Sequence, residues 1–189
     1  MKVVFHPKFY TVYTSDPAAE PGRMEAIVEE LRDYEFVEPE PASEEDILLV
    51  HTKRHLEFVK SEGVVYEIAK LSVGGAIESA RISFEEPAFA VIRPPGHHAS
   101  PDHCWGFCYF NNVAIAIRKL QKEGLIERAA IVDFDLHFGD GTANTFAGDE
   151  TVAYFHMPGD DVNSIADFLE KNDYDIIGVS AGFDRHRDD

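Results

Sequence analysis

The chain has 189 residues, 44% of them hydrophobic and 28% charged, which is enough apolar matter for one domain with a buried core. Its formal net charge is -18, which excludes a nucleic-acid scaffold, because phosphate binding needs Lys and Arg, and suits either a cationic substrate or plain solubility. No apolar run reaches the length of a transmembrane helix and residues 1–9 lack a signal peptide's apolar centre, so a cytoplasmic protein without membrane contact is expected.

In chain order, an apolar run at 3–5 reads as a buried strand. Pro21 then opens a helix over 23–31, and a weaker strand follows at 35–37. Ser43, with Glu45 and Asp46 in the first turn, starts a second helix. "TKRHLEFVKSEG" fits a helix stopping near Gly63, and "VGGAIESARIS" fits another. A strand at 89–92 precedes the segment "NNVAIAIRKLQKEG". There Val113, Ile117 and Leu120 share a face and Gly124 is the C-cap. Strands at 130–134, 151–155 and 175–180 complete the set, with a helix in "VNSIADFLEKND" between the last two. Strands without polar alternation suit a parallel sheet covered on both faces. The alternation of strands and helices predicts an α/β doubly wound, three-layer α/β/α domain, with its site at the carboxyl edge of the strands. No repeat or low-complexity linker divides residues 1–189, so a single domain is expected.

Three loops at that edge hold the chemistry. The strand at 89–92 leads into Arg93-Pro94-Pro95-Gly96-His97-His98. The strand at 130–134 leads into "DFDLHFGDGT", and the last strand into "AGFDRHRDD". A period of two puts Asp135 and His137 on one side, with Asp133 in phase. Oxygen and imidazole donors suit zinc or ferrous iron better than calcium. Asp184 is the natural third ligand, and two carboxylates with one imidazole leave a coordination position open for chemistry. An Asp-x-His pair alone reads first as a cap or an ion pair; agreement among three loops favours a metal.

A histidine beside metal-activated water can take its proton, and another can protonate a leaving amine. His97 and His98 fill those places. Each needs an orienting carboxylate, and Asp133 and Asp140 remain once Asp135 is assigned. His6, His51 and His55 read as structural or surface residues, His103 as lining an entrance, and His156 as core or as backing the site. His186 is not expected to be a ligand. Trp105 reads as packing, and Phe107 as packing or recognition. The two cysteines, Cys104 and Cys108, read as reduced thiols near the histidines.

"RPPGHHA", "GFCYFNNVAIA", "VDFDLHFGDGT" and "SAGFDRHRDD" together resemble the histone deacetylase superfamily, in which acetoin-utilisation proteins and acetylpolyamine amidohydrolases are also found. The resemblance spans most of the chain, in the same order. It implies an arginase-deacetylase fold and metal-dependent removal of an acetyl group from acetyl-lysine or an acetylpolyamine. Asp135, His137 and Asp184 match the ligands of the zinc or iron. His97 and His98 match the catalytic pair, with Asp133 and Asp140 as their partners, His97 acting as base and His98 as acid or electrostatic partner. Gly106 matches a carbonyl that binds the substrate amide, and Phe107 one wall of the acyl tunnel. The family also implies K+ beneath the metal loop, held partly by the carbonyls of Asp133, Asp135, His137 and Phe155.

The sequence departs from the family pattern at several places. Tyr154 stands where many relatives have Ser, and Phe138 replaces the second His of Asp-x-His-His-Gly. The chain stops at Asp189 without the family's Gly-Gly-Tyr loop. The expectation is a domain incomplete at its C-terminus, lacking strands that lie between the His-His strand and the Asp-x-His strand. Two other readings stay open. A weakly active or non-catalytic module would bind an acetylated ligand without turning it over. An arginase-like ureohydrolase would need two metals and an acid where Gly139 stands.

Overall fold

The computed structural model describes residues 1–15 and 19–187. Six short strands pair only in parallel, in two sheets. β1 (Lys2–Val4) lies between β2 (Glu35–Val37) and β3 (Ala88–Ala90). β4 (Ala129–Asp133) lies between β5 (Val152–His156) and β6 (Ile176–Ser180). Every residue of β4 is buried, which explains why it reads as an unbroken apolar run. The expected strands are all present, with ends shifted by one or two residues. They fall into two sheets because, among the described residues, β3 pairs with β1 alone and β6 with β4 alone. The site strands adjoin accordingly: β6, carrying Asp184 in its loop, pairs directly with β4.

Among the described residues seven α-helices pack around the sheets: α1 (Arg23–Glu30), α2 (Glu44–Ile47), α3 (Lys53–Ser61), α4 (Val64–Ile82), α5 (Asn112–Lys122), α6 (Asp140–Thr145) and α7 (Asn163–Leu169). The expected cover on both faces is incomplete at β6, where Ile177 and Val179 are exposed. The helix starts follow from side-chain caps. Ser43 Oγ accepts from Asp46 N–H at 3.2 Å, and Asp46 Oδ2 accepts from Ser43 N–H at 3.2 Å. Asn111 Oδ1 accepts from Ala114 N–H at 3.2 Å and opens α5. α4 is longer than its apolar pattern predicts, because it is buried on most sides and has no clear polar stripe. It also passes so close to the chain at Glu40 that a Cβ on Gly74 would lie 1.9 Å from that carbonyl oxygen. α4 packs on β1 and β3, α5 packs on β6, and α4 packs against α5, which joins the two sheets. No helix among the described residues is long and apolar enough to cross a membrane.

His51 and His55 are buried beneath the His-His loop, with ring centroids 4.8 Å apart. His51 Nε2 accepts from Asn111 N–H at 2.9 Å, so Nδ1 carries the proton and donates to Ser100 O at 3.0 Å. Burial, with His55 alongside, pushes the His51 pKa from 6.5 down to about 3. Between those values the unfolded chain binds a proton that the folded chain refuses. Stability from this group is therefore complete above pH 6.5 and falls with pH by about 1.4 kcal/mol per unit. His51→Gln is expected to be less stable at pH 7.5 yet to lose less on acidification. Urea melts from pH 7.5 to 4 check this, and parallel pH slopes for both proteins would refute it.

Candidate active site

The loop leaving β3 must lie flat against α5 and α6. A Cβ on Gly96 would sit 2.7 Å from Asn112 N and Phe110 O, and one on Gly141 would sit 2.5 Å from the backbone of Ala99 and His98. Glycine at both places lets the two histidines enter the interior, where both are buried. His97 Nδ1 bonds Asp133 Oδ2 at 3.0 Å, and His98 Nδ1 bonds Asp140 Oδ1 at 2.6 Å. A carboxylate only accepts, so each Nδ1 carries a proton and each Nε2 is left for the site. The two imidazoles lie 4.0 Å apart.

Beside them, Asp135, His137 and Asp184 place one donor atom each within 4.8 Å of one another. His137 Nδ1 points at both carboxylates, 3.2 Å from Asp135 Oδ1 and 2.9 Å from Asp184 Oδ2. Asp135 Oδ1 accepts His137 N–H at 2.8 Å and Asp184 Oδ1 accepts Leu136 N–H at 2.9 Å, so backbone bonds orient the carboxylates. A Cβ on Gly182 would fall 2.0 Å from Asp135 Oδ2; glycine there leaves Asp135 its place. Two hard oxygens and one imidazole nitrogen fit zinc or ferrous iron. His97 Nε2 stands 3.9 Å from Asp135 Oδ1, so the free nitrogen faces this donor set. Among the described residues it is the one group of three or more such donors, which fits one ion better than a bridged pair.

The histidines differ electrostatically. Burial lowers the basicity of His97, but the bond and charge of Asp133, with Asp135 and Asp140 adding, outweigh it and the pKa rises. His98 is also penalised by burial, and His97 beside it adds to that, so despite Asp140 its pKa falls. Burial would raise the Asp140 carboxyl, but hydrogen bonds from Trp105 and His98 carry it below its usual range.

Asp133, Asp140 and Asp135 lie against the two histidines, the His137 ring comes within 6.2 Å of His98, and Asp184 joins the group through His137. Two residues have larger parts than their sequence context predicts. Trp105 donates from Nε1 to Asp140 Oδ2 at 2.9 Å and lays its indole 3.8 Å from the His98 ring. Tyr154 donates to Asp133 Oδ2 at 2.9 Å and accepts Gly139 N–H at 3.0 Å. His156 backs the site as one expectation had it, with Nε2 2.9 Å from Asp135 O. His186 stands outside the donor set. Gly106 and Phe107 both take positive φ, at 58° and 62°, and Gly106 presses its backbone onto the His98 ring, where a Cβ would strike Cδ2 at 2.7 Å.

The expected potassium site is a poor fit. Asp135 O already accepts from His156 Nε2 and from Arg185 Nε, at 2.9 Å and 3.2 Å, which uses both its lone pairs. The Tyr154 hydroxyl is committed to Asp133 and Gly139, and the Arg185 guanidinium brings positive charge against the Asp135 carbonyl.

Residues 18–163 match the histone deacetylase domain. The chain is 42% identical over 161 residues to a probable deacetylase of Archaeoglobus fulgidus, covering 75% of this chain and 43% of that protein. It is 33% identical over 179 residues to a probable deacetylase of Methanothermobacter thermautotrophicus, covering 84% and 54%. The chain thus spans about half the length of these curated relatives. The crystal structure of the HDA15 HD domain superposes with a TM-score of 0.74 at 25% identity, over 82% of this chain and 52% of the other.

Proposed function

The chain belongs to the histone deacetylase family, and from that premise we propose that it carries a metal-dependent amidohydrolase centre that removes the acetyl group from an acetylated amine. The observation that carries this reading is the meeting of two histidines, each anchored at Nδ1 by a carboxylate, with a donor set of two carboxylates and one imidazole. A divalent ion held by Asp135, His137 and Asp184 would supply Lewis acidity to the substrate carbonyl and lower the pKa of water.

The chain's own residues handle the protons. The sequence suggests His97 as the base; the electrostatics support the reverse order. His98, with its lowered pKa, presents a bare Nε2 that can accept a proton from water. His97, with its raised pKa, favours a proton on Nε2 and can stabilise developing negative charge or give that proton to the departing nitrogen. Trp105 holds Asp140 and the His98 ring together in one orientation. The Gly106 carbonyl, on a backbone pressed against His98, is a candidate acceptor for the substrate amide, and exposed Phe107 a candidate wall for its acyl chain. The surplus of acidic residues favours a substrate whose free portion is cationic, such as a polyamine or a basic peptide.

The test is acetate release by the metal-loaded chain from an acetyl-lysine peptide and from an acetylpolyamine. Release that chelator stops and zinc or ferrous iron restores is the expected result. Metal uptake with acetyl-ligand binding but no release would favour the binding-module reading.

A further inference from the structure

Arg185 follows the candidate ligand Asp184, yet its side chain reaches back beneath the metal loop rather than outward. Nε donates to Phe134 O at 2.9 Å and to Asp135 O at 3.2 Å. Nη1 donates to Gly159 O at 2.7 Å and Nη2 to Met157 O at 2.9 Å. All four acceptors are main-chain carbonyls. Two lie in the segment leaving β4 and two in the segment leaving β5, while Arg185 itself lies in the segment leaving β6. Among the described residues no carboxylate pairs with it. One planar cation thus ties together the three strand ends at the candidate metal centre.

Four carbonyl dipoles converging on one point need positive charge at that point. The guanidinium supplies it with fixed geometry and a charge that no ordinary pH removes. It also helps fill Asp135 O, which an external cation would otherwise use. We infer that Arg185 is the resident cation of this chain. It takes the place of a bound monovalent ion and acts as a positioning residue for Asp135 and Asp184. The inference draws on the metal-centre reading only for its effect on divalent-ion affinity; the cation dependence of folding stands apart from that reading.

The experiment compares the full chain with Arg185→Met, which removes the charge at similar length, and with Arg185→Lys. Each protein is melted without divalent ion in potassium chloride and in tetramethylammonium chloride of equal strength. Each is then titrated with Co2+ in the same two salts. The unsubstituted chain is expected to show the same Tm and the same Co2+ affinity in both. Arg185→Met is expected to lose about 10–100-fold in Co2+ affinity, as groups behind a ligand do. It should also acquire a potassium dependence in Tm, with Arg185→Lys in between. A higher Tm for the unsubstituted chain in potassium would overturn the inference, and that arm holds even if Arg185→Met does not fold. Arg185→Met with unchanged Tm and no response to potassium would overturn it too. A chain that binds no Co2+ but shows the melting pattern would count against the metal centre and for the resident cation.

Discussion

Asp184→Ala should abolish stoichiometric zinc binding. Asp184 supplies one of three donors and is the only one from the β6 segment. Its Oδ2 stands 2.9 Å from His137 Nδ1, and its Oδ1 fixes Leu136 N–H at 2.9 Å. Without it, exposed His137 keeps the Asp135 carboxylate at 3.2 Å as its carboxylate partner, and the Asp135–His137 loop is tied to the segment leaving β6 by Arg185 rather than by a ligand. A catalytic site needs three protein ligands, and two neighbours on one loop do not hold zinc against water. The affinity loss should exceed the roughly 10–100-fold typical of groups that only back a ligand. Zinc content after dialysis, with Asp102→Ala as a surface control, decides the matter. Asp102 is exposed and pairs with exposed His103 at 2.7 Å, away from the donor set, so that variant should keep its metal. Equal zinc in both variants would remove Asp184 from the ligand set.

The second large effect concerns the histidine pair. In active, metal-loaded protein, His97→Gln and His98→Gln should each cost roughly 10²–10⁴-fold in kcat, because each removes a positioned proton carrier. The two should differ in pH profile. Without a bound ion, burial and the neighbouring His97 hold the pKa of His98 below that of an ordinary imidazole, and Asp133 holds that of His97 above it; a nearby cation lowers both, and the order set by Asp133 is what the profile tests. The acidic limb of kcat/KM, which reports the base in its protonated, idle form, should persist in His97→Gln and vanish in His98→Gln. The opposite outcome would restore His97 as the base. Zinc content measured on the same samples separates a catalytic loss from a loss of metal.

Much of this arrangement was legible in the residues because its signals are local. Val132 sits in a run that burial makes apolar, whereas Val179 in the paired strand is half exposed, and Asp135 and His137 meet on the loop just past the end of β4. The less legible parts depend on contacts distant in sequence. Trp105 reaches Asp140 across 35 positions, and Arg185 reaches Phe134 across 51, so no local pattern marks either. α6 escapes because "DGTANT" carries no apolar period. Its place is fixed instead by docking, with Thr142 N–H donating to His97 O at 3.0 Å. The division into two sheets escapes for the same reason: an apolar run encodes a strand's burial but not its neighbour.

That division has a mechanical consequence. His97 and His98 hang from the segment leaving β3, whereas Asp133 and Asp140 belong to the end of β4 and the start of α6. Both His–Asp bonds therefore act as rivets across the seam between the sheets, joined there by Asn111 to Thr142 at 3.1 Å and Asn144 to Ser100 at 2.9 Å. Tilting one sheet against the other stretches the two His–Asp pairs together, while every strand ladder stays intact. Rigidity of the α4–α5 contact that spans the seam is then transmitted to the alignment of those pairs. A substitution in that helical bridge, far from the donor set, would loosen the two pairs before it unravelled either sheet.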